Sequence, residues 1–273
     1  MGKFDGILIC TDLDGTLYRD DKTISRENRE AIEHFKREGG RFTFITGRMP
    51  YYATDAFAAV CPNAPFGACN GGALYDGVHG EYIWTAEPLP QNVAELIWAV
   101  VEKIPGIGVQ YASLRGSFFA KDNAVMVEFR EETDLPNIPC PIGACPKPIA
   151  KILFGDMEAE MEETERILRA HPRASEFDFI RSEAHLFEIL PKGISKGVAI
   201  EKLCECLGIA REKSIAIGDY NNDIPMLLAA GVGIAVANAC PAALAAADVV
   251  TVSNEEHAIA RVIADIESGK IAL

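Results

Sequence analysis

Short, mostly apolar runs that end on polar residues, with helical stretches between them, constrain the fold of this chain more than any other feature. GILIC (6–10), RFTFI (41–45), SIAI (214–217) and GVGIAV (231–236) are such runs. A strand without a polar face has to be covered on both sides. Between the runs, Ser25 reads as a helix N-cap, with Ala31, Ile32 and Phe35 at helical spacing and Gly39-Gly40 as the stop. Pro50 opens another helical stretch, and 66–69 reads as a strand. Helices are expected over 195–207, closed by Gly208, and over 222–230 and 255–266, with a strand at 248–252. Strands that alternate with helices pair in parallel. The expected fold class is therefore α/β, with a doubly wound parallel-sheet (Rossmann-like) core.

The middle of the chain breaks this rhythm. Helices are expected at 93–103 and 157–169, and strands crowd together at 108–112, 124–129, 149–154, 177–180 and 185–190. In the second helix Met157, Met161, Ile167 and Leu168 form an apolar stripe opposite an acidic face. This composition implies a separate α+β domain inserted into the first one. The expected divisions are 1–85 and 189–273 for the two parts of the core and 86–188 for the insert.

Charge and cysteine usage narrow the function classes. The net charge of −14 disfavours a nucleic-acid backbone or an anionic membrane as partner. No apolar segment approaches the length of about 20 residues that spans a bilayer. The N-terminus MGKFDGILIC has no secretory pattern, and Gly6 stands where a myristoylation motif needs Ser or Thr. The eight cysteines show no zinc-ligand spacing and read as reduced thiols of a cytoplasmic protein.

Polar residues gather where the strands end. Asp12 and Asp14 follow the first run, in TDLDGTL. Thr46 follows the second, in ITGR, and Asp219 and Asp223 follow SIAI, in GDYNNDIPML. Ligands of open parallel sheets bind outside the carboxyl ends of the strands, so these residues converge on one crevice. Two carboxylates two positions apart repel each other unless a cation intervenes. Mg2+ suits them, because it takes oxygen ligands and keeps sites for water and phosphate. Asp219 and Asp223 add negative charge for the same ion. Lys196, at a helix start in PKGISKG, supplies the positive charge that an anionic substrate needs in an acidic protein. The Thr46 hydroxyl and the Gly47 amide can donate to phosphoryl oxygens.

The strings TDLDGTL, ITGR, CNGG, KGISKG and GDYNNDIPML, in this order, resemble those of the haloacid dehalogenase superfamily. Within it the chain is similar to the Cof-type phosphatases with a type IIB cap, and 86–188 lies where that cap belongs. The resemblance implies that Asp12 is the nucleophile and Asp14 the general acid and base. Thr46, Gly47, Lys196 and Asn222 would bind the phosphoryl group. Mg2+ would sit on the carboxylates of Asp12 and Asp219 and the backbone carbonyl of Asp14. Asp223 would orient the metal's water or Lys196, with Arg48 and Asn70 as further supporting residues. An acid working at neutral pH needs a raised pKa, and Asp14 is expected to draw it from its carboxylate neighbours. The implied activity is hydrolysis of a small phosphorylated metabolite, a sugar phosphate foremost. The implied cap closes to exclude water and reads the leaving group. A phosphomutase on the same fold and a non-catalytic phosphate-binding module are the alternatives, and the oligomeric state is open.

Overall fold

The computed structural model describes residues 2–273. The chain divides into two compact units, one built up to Thr85 and from Ser195 onward, the other from Ala86–Ile194. The first unit opens with β1 (Leu8–Thr11), α1 (Arg26–Arg37), β2 (Arg41–Phe44), α2 (Thr54–Val60), β3 (Phe66–Ala68), β4 (Ala73–Asp76) and β5 (Glu81–Thr85). The second contains α3 (Val93–Lys103), β6 (Gly108–Ser113), β7 (Gly116–Lys121), α4 (Ala124–Thr133), β8 (Ile149–Gly155), α5 (Glu158–Ala170), β9 (Phe177–Glu183) and β10 (Leu186–Pro191). The first unit then resumes with α6 (Lys196–Leu207), β11 (Ser214–Gly218), α7 (Ile224–Ala229), β12 (Val232–Ala235), α8 (Pro241–Ala246), β13 (Val249–Val250) and α9 (Ala258–Glu267).

The first unit is built on a parallel sheet in the order β13-β12-β11-β1-β2. Leu8, Ile9, Cys10 and Thr11 are all fully buried, which requires cover on both faces. Helix α1 packs with α9, and α6 with α7. Ser25 caps α1 by accepting the Asn28 N–H, and Gly208 ends α6 in the left-handed region at φ 63. The register places the site. Thr11 lies level with Ile217 of β11 on one side and Phe44 of β2 on the other, so all three strands release their chains at one height. Since β1 connects to β2 on one side and borders β11 on the other, its end is the switch point where a ligand crevice opens.

A small antiparallel sheet, β3-β4-β5, joins this unit through a bridge between Ile45 and Gly67 and a stack of Phe44 on Phe66. Strand β3 stops at Ala68, short of the expected 69, because Cys69, Asn70 and Gly71 all turn left-handed, at φ 57, 54 and 92. A side chain on Gly71 would meet the Ser195 carbonyl just ahead of α6.

The second unit is an antiparallel sheet, β7-β6-β8-β10-β9. Its core brings Val93 and Val100 of α3 and Met161 and Leu168 of α5 together with Tyr111, Ile152 and Phe187 of the sheet. The segment 124–129, expected as a strand, is helical. Asn123 caps it by accepting the Met126 N–H at 3.0 Å, and Val125, Met126 and Phe129 pack as one helix face around Phe119, Leu153 and Leu186. Met157 is not part of the α5 stripe. It precedes the helix and is 60% exposed, while Met161, Thr164, Ile167 and Leu168 are buried. The return to the first unit follows Ile194 rather than 188, because β10 runs unbroken to Pro191.

Candidate active site

Asp12 leaves β1 with its N–H on the Ile217 carbonyl at 2.8 Å, so its backbone continues the parallel ladder. Its side chain is buried, and Oδ1 accepts from the Lys196 ammonium at 2.7 Å. Lys196, the first residue of α6 and 1% exposed, also donates to Asp223 Oδ1 at 2.6 Å. The other Asp223 oxygen accepts the N–H groups of Asp219 and Tyr220, at 2.8 and 2.9 Å, and fixes the turn after β11. Asp219 accepts the Thr16 hydroxyl on Oδ1 at 2.6 Å. Thr16 is a member of this site that the sequence reading passed over.

Charge inside this cluster is out of balance. Carboxylate oxygens of Asp12, Asp219 and Asp223 lie within 4.8 Å of one another around a single ammonium. Burial pushes the Asp12 carboxyl well above its ordinary range, and Asp223 adds to this while Lys196 opposes it. Burial, then Asp223, raises Asp219 to about 6. For Lys196 burial acts downward but is outweighed by Asp12 and Asp223, so its ammonium is held more firmly than usual. Buried carboxylates crowded together with oxygens to spare are the donor set of a hard cation, whose charge would let them ionise. Among the described residues, the second oxygens of Asp12 and Asp219 carry no hydrogen bond, whereas both oxygens of Asp223 are engaged. The set therefore fits a metal ion held by Asp12 and Asp219, with Asp223 fixing Lys196 and the turn.

Asp14 stands outside that cluster. Arg48 donates to Oδ2 at 2.9 Å and Lys22 to Oδ1 at 2.8 Å. Burial acts to raise its pKa, but Arg48 and Lys22 together outweigh it and the carboxyl lies below its ordinary value. The expected upward shift from carboxylate neighbours is thus reversed: its nearest charges are cations. Lys22 was not singled out from sequence, and nothing in its local string marks it. Its approach depends on the turn 19–23, where it sits at φ 61.

The Thr46 hydroxyl accepts the Arg48 N–H at 3.2 Å, which leaves its own proton to donate. The Thr46 carbonyl accepts from Asn70 N–H at 3.1 Å, tying the 46–48 turn to the left-handed segment. Asn70 Oδ1 accepts from Asn222 Nδ2 at 3.3 Å and lies 3.2 Å from where a Gly47 side chain would begin. Asn222 is buried, and its Oδ1 has no partner among the described residues. The structure thus brings every site residue expected from sequence to the ends of β1, β2 and β11 or to the segments packed on them.

The model of the haloacid dehalogenase-like hydrolase family matches residues 9–263. The chain belongs to this family. The haloacid dehalogenase-like chain is similar to the 5-amino-6-(5-phospho-D-ribitylamino)uracil phosphatase YitU of Bacillus subtilis, at 28% identity over 93% of this chain and 95% of that one. It is similar to the pyridoxal phosphate phosphatase YbhA of Escherichia coli, at 26% over 94% and 97%. The solved structure of a haloacid dehalogenase subclass IIB sugar phosphatase superposes with a TM-score of 0.82 at 24% identity, covering 97% of this chain and all of that one. The chain is an enzyme, a Cof-type haloacid dehalogenase phosphatase. No helix among the described residues is long and apolar enough to cross a membrane.

Gly15 offers a local test of this haloacid dehalogenase site. It sits at φ +74, and a Cβ there would lie 2.6 Å from Asp219 Oδ2. Gly15→Ala is expected to displace that carboxylate from Thr16 and to cost about 1–3 kcal/mol in denaturant unfolding. Phosphatase activity should fall with it. Unchanged unfolding would mean that this contact is loose.

Proposed function

We propose that this phosphatase hydrolyses phosphate monoesters of small metabolites, sugar phosphates foremost, in a Mg2+-dependent reaction that passes through a phosphoryl group on Asp12. The observation that carries this reading is the buried Lys196 bridging Asp12 and Asp223, with the Asp219 carboxylate beside them. Asp12, Asp219 and the backbone carbonyl of Asp14 would hold Mg2+, whose positive charge would offset repulsion between the carboxylates and a phosphate dianion. Lys196 would hold the phosphoryl oxygens, aided by the Thr46 hydroxyl, the Gly47 N–H and Asn222. The Asp12 oxygen not held by the metal, Oδ1 once Lys196 turns to the phosphoryl oxygens, attacks phosphorus in line, and the ester oxygen leaves with a proton from Asp14. Asp14 then takes a proton from the water that attacks the acyl phosphate, which returns Asp12 and releases inorganic phosphate. An arriving dianion competes for Arg48 and Lys22, and the Asp14 carboxyl released from them takes up the proton it has to deliver.

YitU and YbhA are named for substrates with different leaving groups, which supports a small phosphorylated metabolite as the substrate class. The proposed location is the cytoplasm, where a reducing environment would keep the cysteines as the free thiols they are here.

The test is a panel of about a hundred phosphometabolites scored by phosphate release, with and without EDTA. Turnover should vanish in EDTA and return with Mg2+. Ca2+ should inhibit, since its larger and looser shell misplaces Asp12. Full turnover in metal-free buffer would overturn the metal, and isomeric sugar phosphate without free phosphate would mean a mutase.

A further inference from the structure

Asn238 lies in the turn after β12 and has no role in the chemistry above, yet it reaches the loop that carries Asp12 and Asp14. Its Nδ2 donates to the Gly15 carbonyl at 2.8 Å, and its Oδ1 accepts the Asn254 N–H at 3.0 Å. Asn254 is buried and donates from Nδ2 to the Tyr18 carbonyl and the Asp20 carboxylate, each at 3.1 Å. Two residues past Asn238, the Cys240 N–H donates to the Asp219 carbonyl at 2.8 Å. A single turn, 236–240, therefore grips both carboxylate-bearing loops: the Asp12–Asp14 loop through a side chain, the Asp219 loop through its main chain.

This hold matters because of what lies inside it. Gly15 has no side chain and a left-handed backbone, so nothing of its own resists rotation of the peptides on either side. One of those peptides carries the Asp14 carbonyl, and the next residue, Thr16, holds Asp219 through its hydroxyl. A rotation at Gly15 would move the carbonyl and carboxylate donors together.

We infer that Asn238 is a positioning residue for the phosphoryl-transfer site, setting the Gly15 peptide so that the oxygens of Asp12, Asp14 and Asp219 face one cation. This inference rests on the metal-dependent reading proposed above. Outer partners that orient metal-holding groups change metal affinity or activity by about 10–100-fold when removed. Asn238 is exposed, so replacing it removes little packing.

The test compares Asn238→Asp with Asn28→Asp in the full chain. The first keeps an acceptor for the Asn254 N–H but sets a carboxylate oxygen against the Gly15 carbonyl. The second places a charge at a buried position elsewhere: Asn28 Oδ1 accepts the Ala260 N–H at 3.0 Å and ties α1 to α9, an acceptor role that aspartate keeps while its desolvated charge weakens the fold there. Asn238→Ala, which removes the donor without adding charge, serves if the aspartate variant does not fold. Three quantities are read: Mg2+ binding by calorimetry, kcat and KM separately, and amide exchange of peptides spanning 12–18 in metal-free protein. Asn238→Asp should bind Mg2+ about 10–100-fold more weakly and lose kcat with KM within about two-fold. It should also exchange faster at 12–18. Asn28→Asp should lower the melting temperature and leave all three quantities unchanged. Wild-type metal affinity and exchange in Asn238→Asp would overturn the inference, as would equal changes in Asn28→Asp. If the unaltered protein binds no Mg2+, the proposed function falls, and the exchange comparison still decides whether Asn238 holds the loop.

Discussion

Asp14→Asn is expected to slow an alkyl phosphate by about 10²–10⁴-fold while a nitrophenyl phosphate still transfers its phosphoryl group to the enzyme. The amide is close in size to the carboxylate, and its oxygen can keep one of the two cations that now hold Asp14, Arg48 at 2.9 Å or Lys22 at 2.8 Å. The backbone carbonyl at position 14 is unaltered, so Mg2+ should still bind. What disappears is the proton. An alkoxide leaves poorly without one, whereas nitrophenolate is stable enough to leave unaided. Asp12 should therefore be phosphorylated by the aryl ester and then wait, because water attack needs the missing base. Rapid mixing should show about one equivalent of nitrophenol per active site before slow turnover, and mass spectrometry should place the phosphoryl group on Asp12. Equal slowing of both esters with no burst would remove Asp14 from the acid–base role.

Lys196→Met should damage both the fold and the reaction, through the same two contacts. Its ammonium is buried between Asp12 and Asp223 at 2.7 and 2.6 Å. Breaking a buried pair by removing one partner costs about 3–5 kcal/mol, because the remaining charge stays desolvated. Here two carboxylates are stranded at once, and burial already pushes Asp12 toward its neutral form. Unfolding in denaturant with EDTA present should show that loss, and phosphate release should fall by about 10²–10³-fold or more as the phosphoryl oxygens lose their cation. Adding Asp223→Asn should recover much of the stability. The amide removes one stranded charge and its oxygen can still accept the Asp219 and Tyr220 N–H groups. Activity should not return. A double variant as unstable as Lys196→Met alone would mean that the charges are not what holds this corner together.

Much of this site is legible in the sequence because its residues sit where apolar runs stop. Ends of buried strands are marked by hydropathy alone, and a parallel sheet brings such ends level, as Thr11, Phe44 and Ile217 are. What stays hidden depends on contacts between distant turns. The carboxylate of Asp14 reads locally as one of an acidic pair, yet its partners are Lys22 and Arg48, brought to it by a left-handed residue and by the register of β2 on β1. Thr16 looks like part of a turn until Asp219 folds against it. In the second unit, AVMVEF carries the β-branched residues of a strand, but the Asn123 cap and packing on Leu153 and Leu186 decide for helix. The cap residue was the available signal. The strands β4, β5 and β7 carry only three consecutive apolar residues each, in ALYD, EYIWT and GSFFAK, too short a run to mark a strand by hydropathy.

The central position of β1 has a consequence for the order in which the chain is made. The strand leaves the ribosome before Ala86–Ile194 is made, while β11, its neighbour on one side, follows only after the whole of that unit. Until then β1 can pair with β2 alone, and a row of backbone N–H and C=O groups beside Leu8, Ile9 and Cys10 lies open. The intervening unit is continuous in sequence and has every strand of its own sheet to hand once Pro191 has been added. Chains that stop short of Ser214 should therefore associate through β1, and emergence of 214–218 from the ribosome should be the point at which the growing protein ceases to be sticky.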